Sequence, residues 1–283
     1  MATPASAIGG WAAQPHISAR SVIVTIIGDT LMPVASSVWM AQMLQLTDVF
    51  GFSDRLVRTS MTRLVNDGWL SNERVGRQSR YHFTERALQE SAQADGRIYG
   101  VEAADWTGEW TLVFLSNLDS DARQLIADDL RWNGFVRIGR EVLASPTSTP
   151  DDAKALCRLI APAVNPTVAT AAFTDVEQLV EGGFFTADSD GAQIADAYEH
   201  FVEFQAGLKA VNASPIVAYA LRTMLVHDLR RIRLRWPDIP EAKPAIALAA
   251  DRYAKLSGTA APFLSELLDL DYPTAMKGRF SQG

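Results

Sequence analysis

FSDRLVRTSMTRLVNDGWLSNERVGRQSRYHFT, residues 52–84, decides the reading of this chain. Ser53 offers a hydroxyl that can cap a helix, and Leu56, Val57, Ser60, Met61, Leu64 and Val65 recur with helical period as an inward stripe. Arg55, Arg58, Thr59, Thr62, Arg63 and Asn66 fall on the opposite side. Gly68 stops the helix, since glycine readily takes the left-handed conformation of a helix end. Trp69 and Leu70 begin an extended segment that turns at Val75 to Gln78 and returns as Arg80 to Thr84.

Two elements precede this stretch. Ala19, Val22, Ile23, Ile26 and Ile27 fit one face of a helix, although the run is β-branched enough to be a strand. Ser36 and Ser37 are placed to cap a helix running toward Val49, with Gly51 at its end. Three helices followed by a hairpin is the order of a winged helix-turn-helix unit. Its recognition helix must bury one face and offer long hydrogen-bond donors to base edges on the other. Arg55, Arg58, Thr59, Thr62 and Arg63 meet that need. The hairpin must offer cations to phosphates, and Arg74, Arg77 and Arg80 lie where that contact falls. An arginine-bearing helix face is by itself most often a solvated surface; capped helix, glycine stop and arginine-marked hairpin in sequence favour DNA.

The charge distribution agrees. The 283 residues carry 26 basic and 33 acidic side chains, a net charge of −7, which argues against a protein coated with positive charge. Residues 18–90 nevertheless hold eight arginines against seven acids, and residues 55–80 hold six arginines against Asp67 and Glu73. A compact basic patch thus belongs to an acidic chain. With 48% apolar and 21% charged residues and a mean hydropathy of zero, the composition is that of a soluble globular protein of two or three domains. No apolar run approaches the roughly 18 residues of a membrane span, so no membrane role is expected. The first residues lack the pattern of a secretory signal, and a cytoplasmic location is expected. Cys157 stands alone, and His16, His82, His200 and His227 share no ligand-like spacing; no metal, cofactor or catalytic residue is expected. No nucleophile, zinc-protease, Walker or dinucleotide motif occurs.

Residues 1–17, rich in Ala, Gly, Ser and Pro, read as a disordered arm, 18–90 as the winged helix-turn-helix domain, and 91–105 as a connecting helix and linker. Residues 106–175 follow the order βαββαβ of a ferredoxin-like domain: a strand at Trp110 to Leu115 and a helix at Asp119 to Trp132 with Leu125, Ile126 and Leu130 inward. Strands at Phe135 to Ile138 and Glu141 to Ala144 flank a Gly139-Arg140 turn, followed by a helix at Asp151 to Ile160 and a strand at Thr167 to Phe173. Residues 176–283 read as a helical C-terminal domain with helices over 191–208, 214–236 and about 241–257, punctuated by Pro215, Pro237, Pro240 and Pro262. In the middle helix Leu221, Leu225, Leu229, Ile232 and Trp236 form a stripe, with Arg222, Arg230, Arg231, Arg233 and Arg235 mostly off it. The fold class is α+β and multidomain.

Three segments, VRTSMTRLVNDGWLSNERVGRQSRYHFT, WTGEWTLVFL and RTMLVHDLRRIRLRWPDIP, together resemble the PaaX family of phenylacetic acid degradation repressors, over about residues 18–270. The resemblance implies a homodimeric repressor that binds double-stranded DNA and leaves its operator on binding an aryl-acyl-CoA, typically phenylacetyl-CoA. It also implies a middle domain similar to a small CRISPR-associated nuclease with an acidic residue at the end of its first strand. Here that strand ends Phe114-Leu115-Ser116-Asn117 with no carboxylate before Asp119, which speaks against nuclease activity. An acyl-CoA needs cations for its phosphates and an apolar slot for its acyl group, and Arg222, Arg230 and Arg231 beside His227 are candidates for the first. Pairing of these arginines with acids such as Asp228 and Glu199 is the other reading. The function expected is an operator-binding repressor of an aromatic-acid catabolic operon; the alternatives are a winged-helix protein-interaction module or a regulator of a different pathway without a CoA-thioester effector.

Overall fold

The computed structural model describes residues 4–100, 109–116, 118–133, 135–138, 141–145, 148–162, 165–172, 201, 213–234, 243–276 and 279–280. It is a mixed helix and strand protein with two small antiparallel sheets, and it divides into two units. The first comprises residues 1–101, 204–229 and 245–283; the second comprises 102–203 and 230–244.

In the first unit, α1 (Pro4–Ala12) and α2 (Ala19–Thr25) lead into a π-helical turn at Ile26–Leu31. The β-branched run at 19–27 is therefore helical. Its Val22, Ile23, Ile26 and Ile27 are wholly buried, so the packing of one apolar stripe overrides their strand preference. Next come β1 (Ser37–Trp39), α3 (Met40–Asp48), α4 (Asp54–Asn66), β2 (Leu70–Val75), β3 (Gln78–Phe83) and α5 (Glu85–Tyr99). The strand order is β1-β3-β2. Ser37 and Val38 thus belong to a short strand rather than to the start of a helix, because β3 supplies partners for them at His82 and Tyr81. The β2–β3 hairpin closes between Val75 and Gln78, and Gly76 has φ 62° at the first position of the two-residue turn, where a side chain would be strained.

Residues 1–17 are not a disordered arm throughout. Ile8 and Trp11, three apart on α1, are buried, and the Trp11 indole Nε1 donates to both oxygens of Asp228 at 3.1 Å. The C-terminal helices α8 (Pro215–Arg233) and α9 (Lys243–Leu268) do not form a separate domain either. Within the first unit, Tyr219 donates to the Leu46 carbonyl at 3.0 Å and Gln42 donates to the Leu267 carbonyl at 3.2 Å. From Ala218 to Leu229 every residue of α8 is buried, so the helix has no solvated side over this length and its arginine faces do not follow the stripe expected of it. Pro262 does not end a helix but lies inside α9, among the buried Ala260, Ala261 and Leu264. The helix expected over 191–208 lies outside the described residues except Phe201, as do Trp236, Pro237 and Pro240.

The second unit contains β4 (Glu109–Phe114), α6 (Ser120–Trp132), β5 (Val136–Arg137), β6 (Val142–Ser145), α7 (Pro150–Ile160) and β7 (Thr167–Ala172). The sheet order is β5-β6-β4-β7, all antiparallel. Ile126, Leu130, Val113, Leu143 and Cys157 share one core; Leu125, expected inward, is 53% exposed. The Gly139-Arg140 turn lies outside the described residues. Asp119 caps α6, accepting from the amides of Asp121 and Ala122. The carboxylate nearest the end of β4 is thus committed to a helix start.

Candidate nucleic-acid interface

Helix α4 is fixed at both ends. The Ser53 hydroxyl accepts from the Leu56 amide at 3.4 Å, and Gly68, with φ 73°, lets the chain leave after Asp67. Val57, Ser60, Met61 and Leu64 are buried, which turns Arg55, Arg58, Thr59, Thr62 and Arg63 to the exposed side. Two members of the expected stripe depart from it, Val65 being half-buried and Leu56 exposed. The hydroxyls of Thr59 and Thr62 donate back to the carbonyls of Arg55 and Arg58, at 2.8 and 3.0 Å.

The two acids within residues 55–80, Asp67 and Glu73, have other partners. Asp67 receives Arg20 at 2.5 Å, and Glu73 faces His82 at 3.2 Å across the hairpin. Arg55, Arg58, Arg63, Arg74 and Arg77 are exposed, and among the described residues none of them forms an ion pair. Arg74 Nε donates to the Gly76 carbonyl at 3.4 Å, close to the hairpin tip. Arg80 differs from the rest: it is half-buried, donates through Nε to the Ser37 hydroxyl at 2.8 Å, and lies 5.3 Å from the centre of the Trp39 ring. Sequence reasoning missed this clamp because it depends on β1, three residues long and visible only through its pairing with β3.

The hairpin is also secured at its base. Thr84 donates to the carbonyls of Gly68 and Trp69, and the Trp69 indole donates to Glu90 at 2.7 Å. Arg86 bridges Glu90 at 2.7 Å and reaches the Asp67 carbonyl at 3.3 Å. These contacts join the end of α4, the residues just before β2 and just after β3, and the first turns of α5. The cationic groups of helix and hairpin are therefore carried on one connected support.

The residues assigned to an acyl-CoA effector lie elsewhere, and two of them are corrected by their surroundings. Arg222 is completely buried, its Nε 3.2 Å from Asp29 and its Nη2 donating to Thr30 and Tyr272 at 2.8 and 3.2 Å. Burial is the largest single influence and opposes its charge, but the Asp29 carboxylate together with Tyr272 and Tyr253 outweighs that cost and holds the guanidinium proton more tightly than usual. His227, also fully buried, places Nδ1 3.0 Å from the Thr25 hydroxyl. A helix packed on all sides cannot present either group to a solvated phosphate. Arg222 thus follows the ion-pair reading, with Asp29 as the acid, whereas Asp228 receives Trp11 and Glu199 lies outside the described residues. Arg230 and Arg231 are partly exposed and belong to the second unit. The Cys157 thiol is sealed in its core and pushed up to about 11 by burial, so it is a structural side chain at neutral pH rather than a nucleophile.

The geometry defines a class: a mixed helix and strand protein whose first unit displays a helix and a hairpin bearing exposed arginines. Residues 18–87, the segment that builds this face, match the family model described as PaaX-like protein. Over 270 residues the chain is 26% identical to the transcriptional repressor PaaX of Escherichia coli (strain K12), an alignment covering 88% of this chain and 84% of that protein. The similarity to the PaaX family is thereby shown, and the characterised relative is named as a repressor, not as an enzyme. A solved structure, the uncharacterized protein Rv0674 from Mycobacterium tuberculosis, is 17% identical with a TM-score of 0.46, covering 89% of this chain and 99% of its own. Among the described residues no helix is long and apolar enough to cross a membrane.

Proposed function

We propose that this protein is a transcriptional repressor that binds double-stranded DNA through a winged helix-turn-helix unit formed by α3, α4 and the β2–β3 hairpin. The observation that carries the proposal is the exposure of Arg55, Arg58, Arg63, Arg74 and Arg77 with the neighbouring Asp67 and Glu73 engaged by other side chains. Helix α4 enters the major groove, where Arg55, Arg58 and Arg63 meet base edges and Thr59 and Thr62 offer acceptor lone pairs. Arg74, Arg77 and the outer nitrogens of Arg80 hold the phosphate backbone. The protein acts as a homodimer on an inverted repeat whose half-sites lie about one duplex turn, roughly 34 Å, apart.

The same proposal takes the regulated genes to be an aromatic-acid, phenylacetate-type catabolic operon, with release by an aryl-acyl-CoA such as phenylacetyl-CoA. Of the four residues assigned to that effector, Arg230 and Arg231 retain exposed surface and stay in the proposal. The strand order of the second unit supports a ferredoxin-like reading of the middle domain. Selection of duplexes from a random pool by the full chain, in roughly 150 mM salt, tests DNA recognition. An inverted repeat should emerge, and Arg58→Ala should lose on the order of 1–3 kcal/mol of preference for it. Titrating the complex with phenylacetyl-CoA should release the duplex. A protein that enriches no sequence and binds DNA without salt dependence is not this repressor.

A further inference from the structure

Leu56 is the large apolar side chain left exposed on α4, at 45% of its surface. It is the third residue of the helix, in the first turn, and its amide is held by the Ser53 cap. The buried Val57, Ser60, Met61 and Leu64 set the phase of the helix. With 3.6 residues per turn, Leu56 lies beside that stripe and on the same flank as Thr59 and Arg63, three and seven residues on. Thr59 spends its hydroxyl hydrogen on the Arg55 carbonyl, leaving a methyl group and acceptor lone pairs for anything that approaches. This edge of α4 therefore joins an arginine to adjoining apolar surface, in the turn whose residues reach furthest into a groove.

In the major groove the apolar group presented by an unmodified base pair is the 5-methyl of thymine. We infer that Leu56, flanked by the Thr59 methyl, reads a thymine 5-methyl group, making Leu56 a specificity-determining residue additional to the arginines. The inference rests on the DNA-binding reading above. Arg63, on the same flank, directs the contact to a thymine near a guanine that accepts its guanidinium.

The test uses the full chain and its best selected duplex, with each thymine replaced in turn by deoxyuridine, which removes the methyl and leaves the pairing edge intact. One replacement per half-site should weaken binding about fourfold, the effect of exposing one methyl-sized group. In Leu56→Ala the same replacement should cost less than about twofold, while the variant melts as the unaltered protein does because the side chain is half in solvent already. Uniform tolerance of deoxyuridine by the unaltered protein, with Arg58→Ala still losing its sequence preference, overturns the thymine contact and leaves DNA recognition standing. Failure to select any duplex overturns both.

Discussion

Asp29 shows how a charge is kept in the interior of the first unit. It is 2% exposed, yet Tyr99 and Tyr253 donate their hydroxyls to one carboxylate oxygen at 2.8 and 2.9 Å, and Arg222 faces the other. Burial, followed by the nearby carboxylate, raises both tyrosines well above their ordinary range, so they remain protonated donors. Tyr272 completes the group by accepting from Arg222 and donating to the Thr30 carbonyl. Removing one partner leaves an uncompensated charge, whereas removing both leaves none. Asp29→Leu and Arg222→Met are each expected to cost about 3–5 kcal/mol in chemical denaturation, and the double variant distinctly less than their sum. Additive costs, or single costs below about 1 kcal/mol, would show that the pair is not energetically coupled.

The same network marks a boundary of what sequence can disclose about elements. Helix α4, the hairpin and the βαββαβ order are readable because each shows its period or its punctuation locally, as Ser53 does before α4 and Gly68 after it. Strand β1 is too short to carry a period and exists through Ser37 and Val38 pairing with β3. Helix α8 misleads for a different reason, since Arg222 looks solvated until Asp29, nearly 200 residues earlier, is brought against it. The exposed arginines of α4 and the hairpin were legible because their carboxylate neighbours are few and local; the sealing of His227 was not, because it depends on α1 and α2. Helix α1 is the sharpest instance: a Pro, Ala and Gly-rich composition argues for disorder, but Ile8 and Trp11 share a face and find a core. Trp11 packs edge-on against His227 at 5.2 Å and near Phe50 at 5.9 Å, besides its bond to Asp228. Trp11→Ala should therefore destabilise the protein by about 3–5 kcal/mol, and Trp11→Phe by less, both measured by urea unfolding. A cost near zero for Trp11→Ala would return residues 1–17 to the status of an arm.

For the whole molecule the governing contrast is between a net charge of −7 and a local excess of arginine at residues 55–80. The acidic remainder repels a polyanion, so attraction must come from a small number of well-placed cations, and each one that neutralises a phosphate releases counterions. Such binding has a countable salt dependence, with a slope of about 0.9 in log affinity against log salt for every phosphate contacted. Arg77 stands at the hairpin tip, exposed, and among the described residues it forms no ion pair. Arg77→Ala should weaken selected and unrelated duplexes alike and reduce the slope by about 0.9. Arg58→Ala, acting at a base edge, should instead erase sequence preference and change the slope much less. Binding isotherms at several salt concentrations separate these outcomes. Equal slopes in the unaltered protein and in Arg77→Ala would mean that the hairpin does not touch the backbone, and would confine the DNA contact to α4.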